Sequence, residues 1–185
     1  MLDMTGESGF RIEELMAAVR VSKSSLYLNF TDRDGLIAAA RARQFERIVN
    51  ESVDGIRQLA ASVSTRSEIR TALSAATAFT QSITRHQERM RRVAIVAGTV
   101  GRPDYQKQLA EAQTRLTDAL EEIIRVSRER GLMSTRHSDP TIAMFLQSYT
   151  LGRVLAGFDL KRSKNDDVEW TTLIDDVTAH IFFVD

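Results

Sequence analysis

Apolar residues return along most of this chain at spacings of three and four, which is the period of an amphipathic helix. The clearest run alternates these spacings and stops at Gly131-Leu132, a glycine-then-apolar ending typical of a helix C-terminus. Its members are Leu109, Ala112, Leu116, Ala119, Ile123 and Val126. No stretch of useful length alternates apolar and polar residues as a strand would, and the 185 residues include only two prolines. The pattern predicts an all-α protein.

Two short helices joined by a tight turn are predicted near the N-terminus. The first is Ile12–Val19, and Ser22 can cap the second by accepting from first-turn amides. Leu26 and Phe30 lie four residues apart and share one face of the second helix. Lys23, Ser24 and Tyr27 lie on another face, which is small, polar and cationic. A helix anchored on one side with such an outer face suits the DNA major groove, so the pair is predicted to be a helix-turn-helix.

Six further helices are predicted along the chain from their apolar faces and their start and stop signals. Their expected spans are about 32–59, 65–86, 88–100, 104–131, 139–160 and 166–183. Thr31-x-x-Asp34 is expected to open the first of them, Thr65 or Ser67 the second, and Asp139-Pro140 the fifth.

The last two predicted helices admit two interpretations. Apolar residues cover nearly all sides from Ile142 to Leu160, so this helix must be buried on several sides. The final helix, from Asp166 to Phe183, gathers its apolar residues on one face: Trp170, Leu173, Ile174, Val177 and Ile181. The pair is either an interior hairpin or a subunit interface that meets its two-fold mate as a four-helix bundle. Gly152 and Gly157 would permit close helix approach.

The N-terminal segment from Gly6 to Phe45 resembles the DNA-binding signature of the tetracycline-repressor (TetR) family. The resemblance is carried by the run from Val21 to Phe30, Val-Ser-Lys-Ser-Ser-Leu-Tyr-x-x-Phe, followed by a capped long helix. It implies that the second short helix enters the major groove and that a basic residue opening the next helix binds phosphate. The implied DNA contacts are Arg11, Ser22, Lys23, Ser24, Ser25, Tyr27, Asn29 and Arg33. Arg20 and Leu28 stand where the family commonly has a glycine and an aromatic residue or histidine.

The resemblance also predicts how the chain is divided. Family members carry a whole helix before Gly6, and only Met1 to Thr5 precede it here, so most of that first helix is expected to be missing. Either the gene product begins late or its start was assigned too far downstream. The expected domains are a DNA-binding domain over residues 1–45 and a ligand-binding and dimerisation domain over residues 46–185.

A homodimer is implied in turn, joined through the final two helices and bound to a palindromic double-stranded operator. The function expected from the resemblance is transcriptional regulation, with a repressor released by a small-molecule effector held among the middle helices. Residues that could line such a pocket are Phe79, Met90, Phe145 and Tyr149, although aromatic and methionine residues at helical spacing are ordinarily core.

Composition limits the other possibilities. Lys plus Arg and Asp plus Glu both number 25, so any basic surface must be local. The absence of cysteine excludes disulfides, zinc fingers and thiol nucleophiles. No apolar run approaches the roughly 18 residues that span a bilayer, so no membrane association and a cytoplasmic location are expected.

Catalytic and metal-binding chemistry is not indicated. His86, His137 and His180 lie in different predicted elements without metal-site spacing, so no metal or cofactor is expected. Adjacent carboxylates such as Glu121-Glu122 point about 100° apart on a helix and make poor acid–base partners. The chain is therefore not predicted to be an enzyme. Arg89, Arg91 and Arg92 could meet an anionic partner, or could form a solvated or carboxylate-paired helix face.

An alternative function comes from a different class. The short N-terminus, Arg20 in the turn and the zero net charge are compatible with a dimeric small-molecule-binding or interaction protein whose DNA binding is impaired or lost.

Overall fold

The computed structural model of the chain describes residues 2–158, 161 and 163–184, and in these ranges it is helical, with one isolated parallel β-bridge between Ser134 and Phe183. The α-helices are α1 (Leu2–Gly9), α2 (Ile12–Val19), α3 (Lys23–Asn29), α4 (Arg33–Ser62), α5 (Arg66–Gln81), α6 (His86–Ala97), α7 (Pro103–Glu129), α8 (Asp139–Gly152) and α9 (Lys164–Phe182). Short 3₁₀ helices cover Ile83–Arg85 and Arg153–Phe158. The all-α prediction is confirmed. None of the helices described is long and apolar enough to cross a membrane.

The first three helices and the start of α4 share a small apolar core. Its buried members are Phe10, Ile12, Leu26, Leu36 and Ile37. Leu26 is the buried residue of α3, so this side chain fixes the short helix to the rest of the unit. Ile12 of α2 is buried in this core, whereas Val19 at the other end of the helix is 53% exposed. α2 has the predicted bounds, and α3 begins after the predicted cap Ser22.

α4 belongs to two cores at once. Its first turns bury Leu36 and Ile37 in the N-terminal core, whereas Phe45, Val49 and Val53 pack in a second cluster with α6 and α7. The predicted division at residues 45 and 46 therefore falls within one continuous helix. A third cluster, farther along the bundle, joins the end of α4 to later helices. Its buried residues are Val63, Ile69, Ile124, Leu132, Met133, Ile142, Ala143 and Phe182.

The first part of the apolar run on α7 packs as the sequence predicted, whereas Ile123 and Val126 farther along are only partly buried and Ile124 is buried instead. Leu109, Ala112 and Leu116 are buried against α4, and Ala119 lies beside them, partly buried. The helix begins with Pro103 and ends before Gly131, whose φ of 70° is the left-handed conformation that glycine adopts without strain.

Several predicted helix boundaries were wrong. Asp32, not Thr31, caps α4, since its Oδ1 accepts from the Gly35 amide at 2.7 Å. α5 opens at Thr65, one of the two predicted caps, with a complete capping box to Glu68, but it ends at Gln81 instead of near His86. Ser82 there has a ψ of 139°, outside the helical range, and its hydroxyl accepts from the Thr84 amide.

α8 also departs from its predicted span. Ser138 occupies the N-cap position, so Asp139 and Pro140 lie inside the first turn. The α-helix gives way after Gly152 to the 3₁₀ helix, and the predicted end at Leu160 lies outside the described residues.

α9 is held to the bundle through polar contacts as well as apolar ones. Trp170 Nε1 donates to Gln81 Oε1 at 2.9 Å, and the Ser74 hydroxyl donates to Asp175 at 2.6 Å. Arg153, almost fully buried, forms an ion pair with Asp167. Leu173, predicted on the inner face of this helix, is exposed, whereas Ile174 is buried.

Candidate nucleic-acid interface

α3 presents a polar and cationic surface to solvent. Ser22 has an extended backbone, and its Oγ accepts from the Ser25 amide at 3.2 Å, which is the predicted cap. Lys23, Ser24 and Tyr27 are exposed, and Lys23 Nζ lies 6.0 Å from the centre of the Tyr27 ring. These three side chains form an exposed outer face, separate from the buried side of Leu26, as predicted.

Other predicted DNA contacts on α3 make local hydrogen bonds. Asn29 Nδ2 donates to the Ser25 carbonyl at 3.0 Å, and Ser22 Oγ donates to Ser25 Oγ at 3.1 Å. Both contacts lie within the helix and its cap, so they shape α3 and leave Lys23, Ser24 and Tyr27 as the outward groups. All of these residues lie on α3 or at its N-cap.

The two predicted arginine contacts lie at the junction of α1 and α2. Arg33 donates to the Phe10 carbonyl at 3.1 Å and to the Glu7 carbonyl, and also pairs with Asp34 at 3.2 Å. Arg11 donates to the Ser8 carbonyl at 3.0 Å. Both arginines therefore hydrogen-bond carbonyls at the end of α1, a contact that sequence spacing did not reveal.

Arg20, in the turn between α2 and α3, adopts the left-handed conformation at the position where the resemblance expects a glycine. Among the non-glycine residues that the structure describes, Arg20 alone has a positive φ, of 54°. Its amide donates to the Met16 carbonyl. Glycine is common at such a position because it has no Cβ to clash in the left-handed conformation. Arg20 keeps the turn geometry at some conformational cost.

Replacing Arg20 by Gly should therefore raise the free energy of unfolding by about 0.5–1 kcal/mol, because relief of the left-handed strain exceeds the added unfolded-state entropy. Urea denaturation followed by circular dichroism measures the change. Arg57→Gly is the matched control, because Arg57 is exposed inside α4, where glycine should cost about 1 kcal/mol. Equal destabilisation by both changes would contradict the turn assignment.

Ion pairs join the N-terminal unit, from α1 to the start of α4, to the rest of the bundle. Arg102, just before α7, lies 3.6 Å from Glu7 Oε2 and 4.0 Å from Asp34 Oδ2. Nearby, burial raises the pKa of Tyr105 to about 12, and its hydroxyl donates to the Ile95 carbonyl at 3.2 Å. The loop between α6 and α7 is thus in direct contact with α1 and the start of α4. Sequence analysis missed this contact, since nothing local marks Arg102.

The four residues predicted to line an effector pocket are only partly brought together. Phe145 and Tyr149 have ring centres 5.1 Å apart on α8, and the Tyr149 hydroxyl lies 3.4 Å from Thr77 Oγ1 on α5. Phe79 is largely exposed beneath the Arg85 guanidinium, 4.2 Å away, and Met90 is half-buried on α6. Two surface grooves, one along α4 and one along α9, contain none of the four.

Two of the three arginines in the α6 cluster, Arg89 and Arg92, contact neighbouring helices, and Arg91 is half-buried. Arg89 is buried and donates to the carbonyls of Thr80 and Ser82 at 2.6 and 3.1 Å, at the end of α5. Arg92 points between α4 and α7, where it donates to Gln113 at 3.0 Å. Neither residue lies on the solvated helix face that the sequence suggested as one possibility.

The histidines remain separate in the structure. His86 packs against Gly157 and stacks edge-on with Phe158, whereas His137 and His180 are exposed on other elements.

Comparison with known proteins identifies the fold. No family model and no curated protein matches the chain. A Mesorhizobium loti protein assigned to the TetR family of transcriptional regulators has a similar solved structure, with a TM-score of 0.74, 15% identity, and coverage of 99% of this chain and 91% of that one. The solved structure of Escherichia coli NemR in its reduced form is also similar, with a TM-score of 0.66, 16% identity, and coverage of 98% of this chain and 90% of that one. Salmonella enterica GusR is similar with a TM-score of 0.65, 17% identity, and coverage of 96% of this chain and 87% of that one. The chain has the fold of TetR-family regulators, which confirms the predicted resemblance at the level of fold.

Proposed function

We propose that the protein is a homodimeric transcriptional regulator that binds a palindromic DNA operator through α3 and is a repressor released by a small-molecule effector. The observation that carries the proposal is the outer face of α3, where Lys23, Ser24 and Tyr27 are exposed while Leu26 anchors the helix in the N-terminal core. In this proposal, residues 1–45 form the DNA-binding domain, residues 46–185 bind effector and partner subunit, and the protein acts in the cytoplasm.

The chemistry of this face suits duplex DNA. Lysine attracts phosphate without regard to sequence, whereas serine and tyrosine hydroxyls can donate to and accept from phosphates and base edges. Arg33 and Arg11 hold the end of α1, so their contribution to DNA binding is to position the helix-turn-helix as well as to attract phosphate.

Lys23→Ala should weaken binding to any duplex and lower the slope of log affinity against log salt by about one per protomer, because one phosphate contact is lost. Fluorescence anisotropy with a mixed-sequence duplex, between about 50 and 200 mM salt, measures the slope. Lys107→Ala, at an exposed lysine of α7, is the charge-matched control. Identical slopes for the two variants would reject a phosphate contact by Lys23.

The dimer is supported by exposed apolar residues on the last part of the bundle. Met144 of α8, Leu155 of the following 3₁₀ helix, and Val168 and Leu173 of α9 are all more than half exposed in the isolated chain. A partner subunit that covers these side chains would bury apolar surface that is otherwise in water. A two-fold dimer also matches the symmetry of a palindromic operator.

Val168→Glu should therefore convert the dimer to monomer at low micromolar concentration, because a carboxylate would be forced into an apolar interface. Sedimentation velocity measures the mass. Val100→Glu is the same substitution at a residue that is 84% exposed in the α6–α7 loop, and it should leave the dimer intact. A monomeric unsubstituted protein would reject the dimer.

A further inference from the structure

Leu28 is the apolar side chain that α3 leaves most open to solvent. It is 85% exposed and belongs to none of the three apolar clusters formed by the described residues. Successive residues of an α-helix are about 100° apart, so Leu28 lies about 200° around α3 from the buried Leu26. Ser24, four residues before Leu28, shares this side of the helix and is also exposed. Leu28 and Ser24 therefore lie in the middle of the exposed side, pointing away from the N-terminal core.

The other side chains of α3 lie on the two flanks of this pair. Lys23 and Tyr27 share one flank, where Lys23 Nζ lies 6.0 Å from the centre of the Tyr27 ring. Ser25 and Asn29 share the other flank, where Asn29 Nδ2 donates to the Ser25 carbonyl and Ser25 Oγ accepts from Ser22 Oγ. The flanks therefore carry the cation, the phenol and the amide, whereas the middle presents one hydroxyl and the apolar side chain of leucine.

The dimensions of the major groove separate these positions by what they can reach. The groove is about 12 Å wide and admits one α-helix, which is about 10–12 Å across with its side chains. When the side of α3 that faces away from Leu26 enters the groove, side chains in its middle reach the base edges and side chains on its flanks meet the phosphates. Lys23 then lies beside the backbone, and Leu28 lies against the bases.

Leucine has a definite chemical preference at such a position. Single exposed leucines are ordinary on protein surfaces, but a leucine in the middle of a DNA-binding face is removed from water when the complex forms. It can neither donate to nor accept from the nitrogen and oxygen atoms of the base edges, which would lose their water without a new partner. The apolar group that the major groove offers is the C5 methyl of thymine. Leucine against that methyl buries apolar surface on both molecules.

We propose that Leu28 is a specificity-determining residue, which contacts the C5 methyl of one thymine in each half-site of the operator. The inference rests on the proposed function, since it names a base that α3 reads. Leu28 adds an apolar base contact to the polar and charged contacts proposed for the same helix. Lys23 on the flank supplies attraction to phosphate, which carries no sequence information.

The test removes the methyl group from the DNA and the leucine side chain from the protein, separately and together. The probe is a duplex with the motif that the full unsubstituted chain enriches from a random pool. Its thymines are replaced by deoxyuridine, one symmetric pair at a time, which deletes the methyl and keeps the base pairing. At one pair of positions the replacement should raise the dissociation constant about fifteenfold, or about fourfold for each methyl. Fluorescence anisotropy at one salt concentration measures the change.

Leu28→Ala should bind the thymine duplex more weakly than the unsubstituted chain and should bind the thymine and deoxyuridine duplexes within about twofold of each other, because alanine is too short to reach the methyl. Val100→Ala is the matched control, since it trims an apolar side chain that is 84% exposed in the α6–α7 loop, and it should change neither affinity. Lys23→Ala should weaken binding to both duplexes by the same factor and keep the preference for thymine. Leu28→Met, which keeps apolar reach, should retain most of that preference.

Three results would overturn the role of Leu28 and leave DNA binding by α3 intact. They are an enriched motif without thymine in its half-sites, equal affinity for thymine and deoxyuridine at every position, and an unchanged preference for thymine in Leu28→Ala. The proposed function fails differently, because a chain that does not read DNA would enrich no motif from the pool. That result would reject the proposed function and the role of Leu28 together.

Discussion

Asp167→Asn should lower the free energy of unfolding by about 3 kcal/mol, because it leaves the Arg153 guanidinium buried without its carboxylate. Arg153 is 6% exposed and packs over the Trp170 ring, 5.3 Å from its centre. Burial already lowers the pKa of this guanidinium, which shows the cost of holding the charge in the interior. Since whole domains are stable by only about 5–15 kcal/mol, the loss would be a large share of the total.

Urea unfolding of the purified protein measures this change. Asp118→Asn, at an exposed carboxylate of α7, is the same substitution away from any buried cation and should change stability by less than about 0.5 kcal/mol. Combining Asp167→Asn with Arg153→Met should recover part of the loss, because the buried charge is then removed. A loss no greater than that of Asp118→Asn would show that the ion pair does not hold α9 to the bundle.

Leu26→Ala should abolish DNA binding while leaving the larger part of the bundle folded. Leu26 is the buried side chain of α3 and packs with Phe10, Ile12 and Leu36. Truncation of a buried leucine costs about 2–5 kcal/mol, and a seven-residue helix has little else to hold it in place. Because the other two apolar clusters do not contain Leu26, helical content and dimerisation should largely survive.

The same helix supplies a matched control, since Leu28 lies two residues away and is 85% exposed. Leu28→Ala should change stability by no more than about 0.5 kcal/mol. Hydrogen exchange resolves the outcome by segment: Leu26→Ala should speed exchange in α2 and α3, with protection in α7 retained. Uniform loss of protection throughout the chain would mean that the N-terminal unit and the rest of the bundle unfold as one.

The helix-turn-helix could be predicted from sequence because its signals are local. A serine cap, one buried leucine and a polar outer face all lie within eight residues; α2 has the predicted bounds, and α3 begins after the predicted cap. The cap of α4 was misplaced for a local reason too. Thr31 and Asp32 are both good N-cap residues, and only the observed bond from the Gly35 amide to Asp32 distinguishes them.

Features that depend on distant partners were not predicted. Phe79 and Ile83 are spaced as on one helix, but Ser82 ends α5 between them, and the freed carbonyls of Thr80 and Ser82 are bonded by Arg89 from α6. A run of arginines looks solvated when only its sequence is known. Its burial depends on acceptors supplied by other helices, and such long-range pairing leaves no periodic signal.

The most direct test of the account is selection of bound duplexes from a random DNA pool. The unsubstituted chain, the Lys23→Ala, Tyr27→Ala double variant and the Lys107→Ala control would be compared at one salt concentration. We expect the unsubstituted chain and the control to enrich the same two-fold symmetric motif, with half-sites about one helical turn apart or a multiple of it, and the double variant to enrich none. Failure of the dimeric unsubstituted chain to enrich any motif, or equal enrichment by the double variant, would contradict the assignment of α3 as the DNA-reading helix.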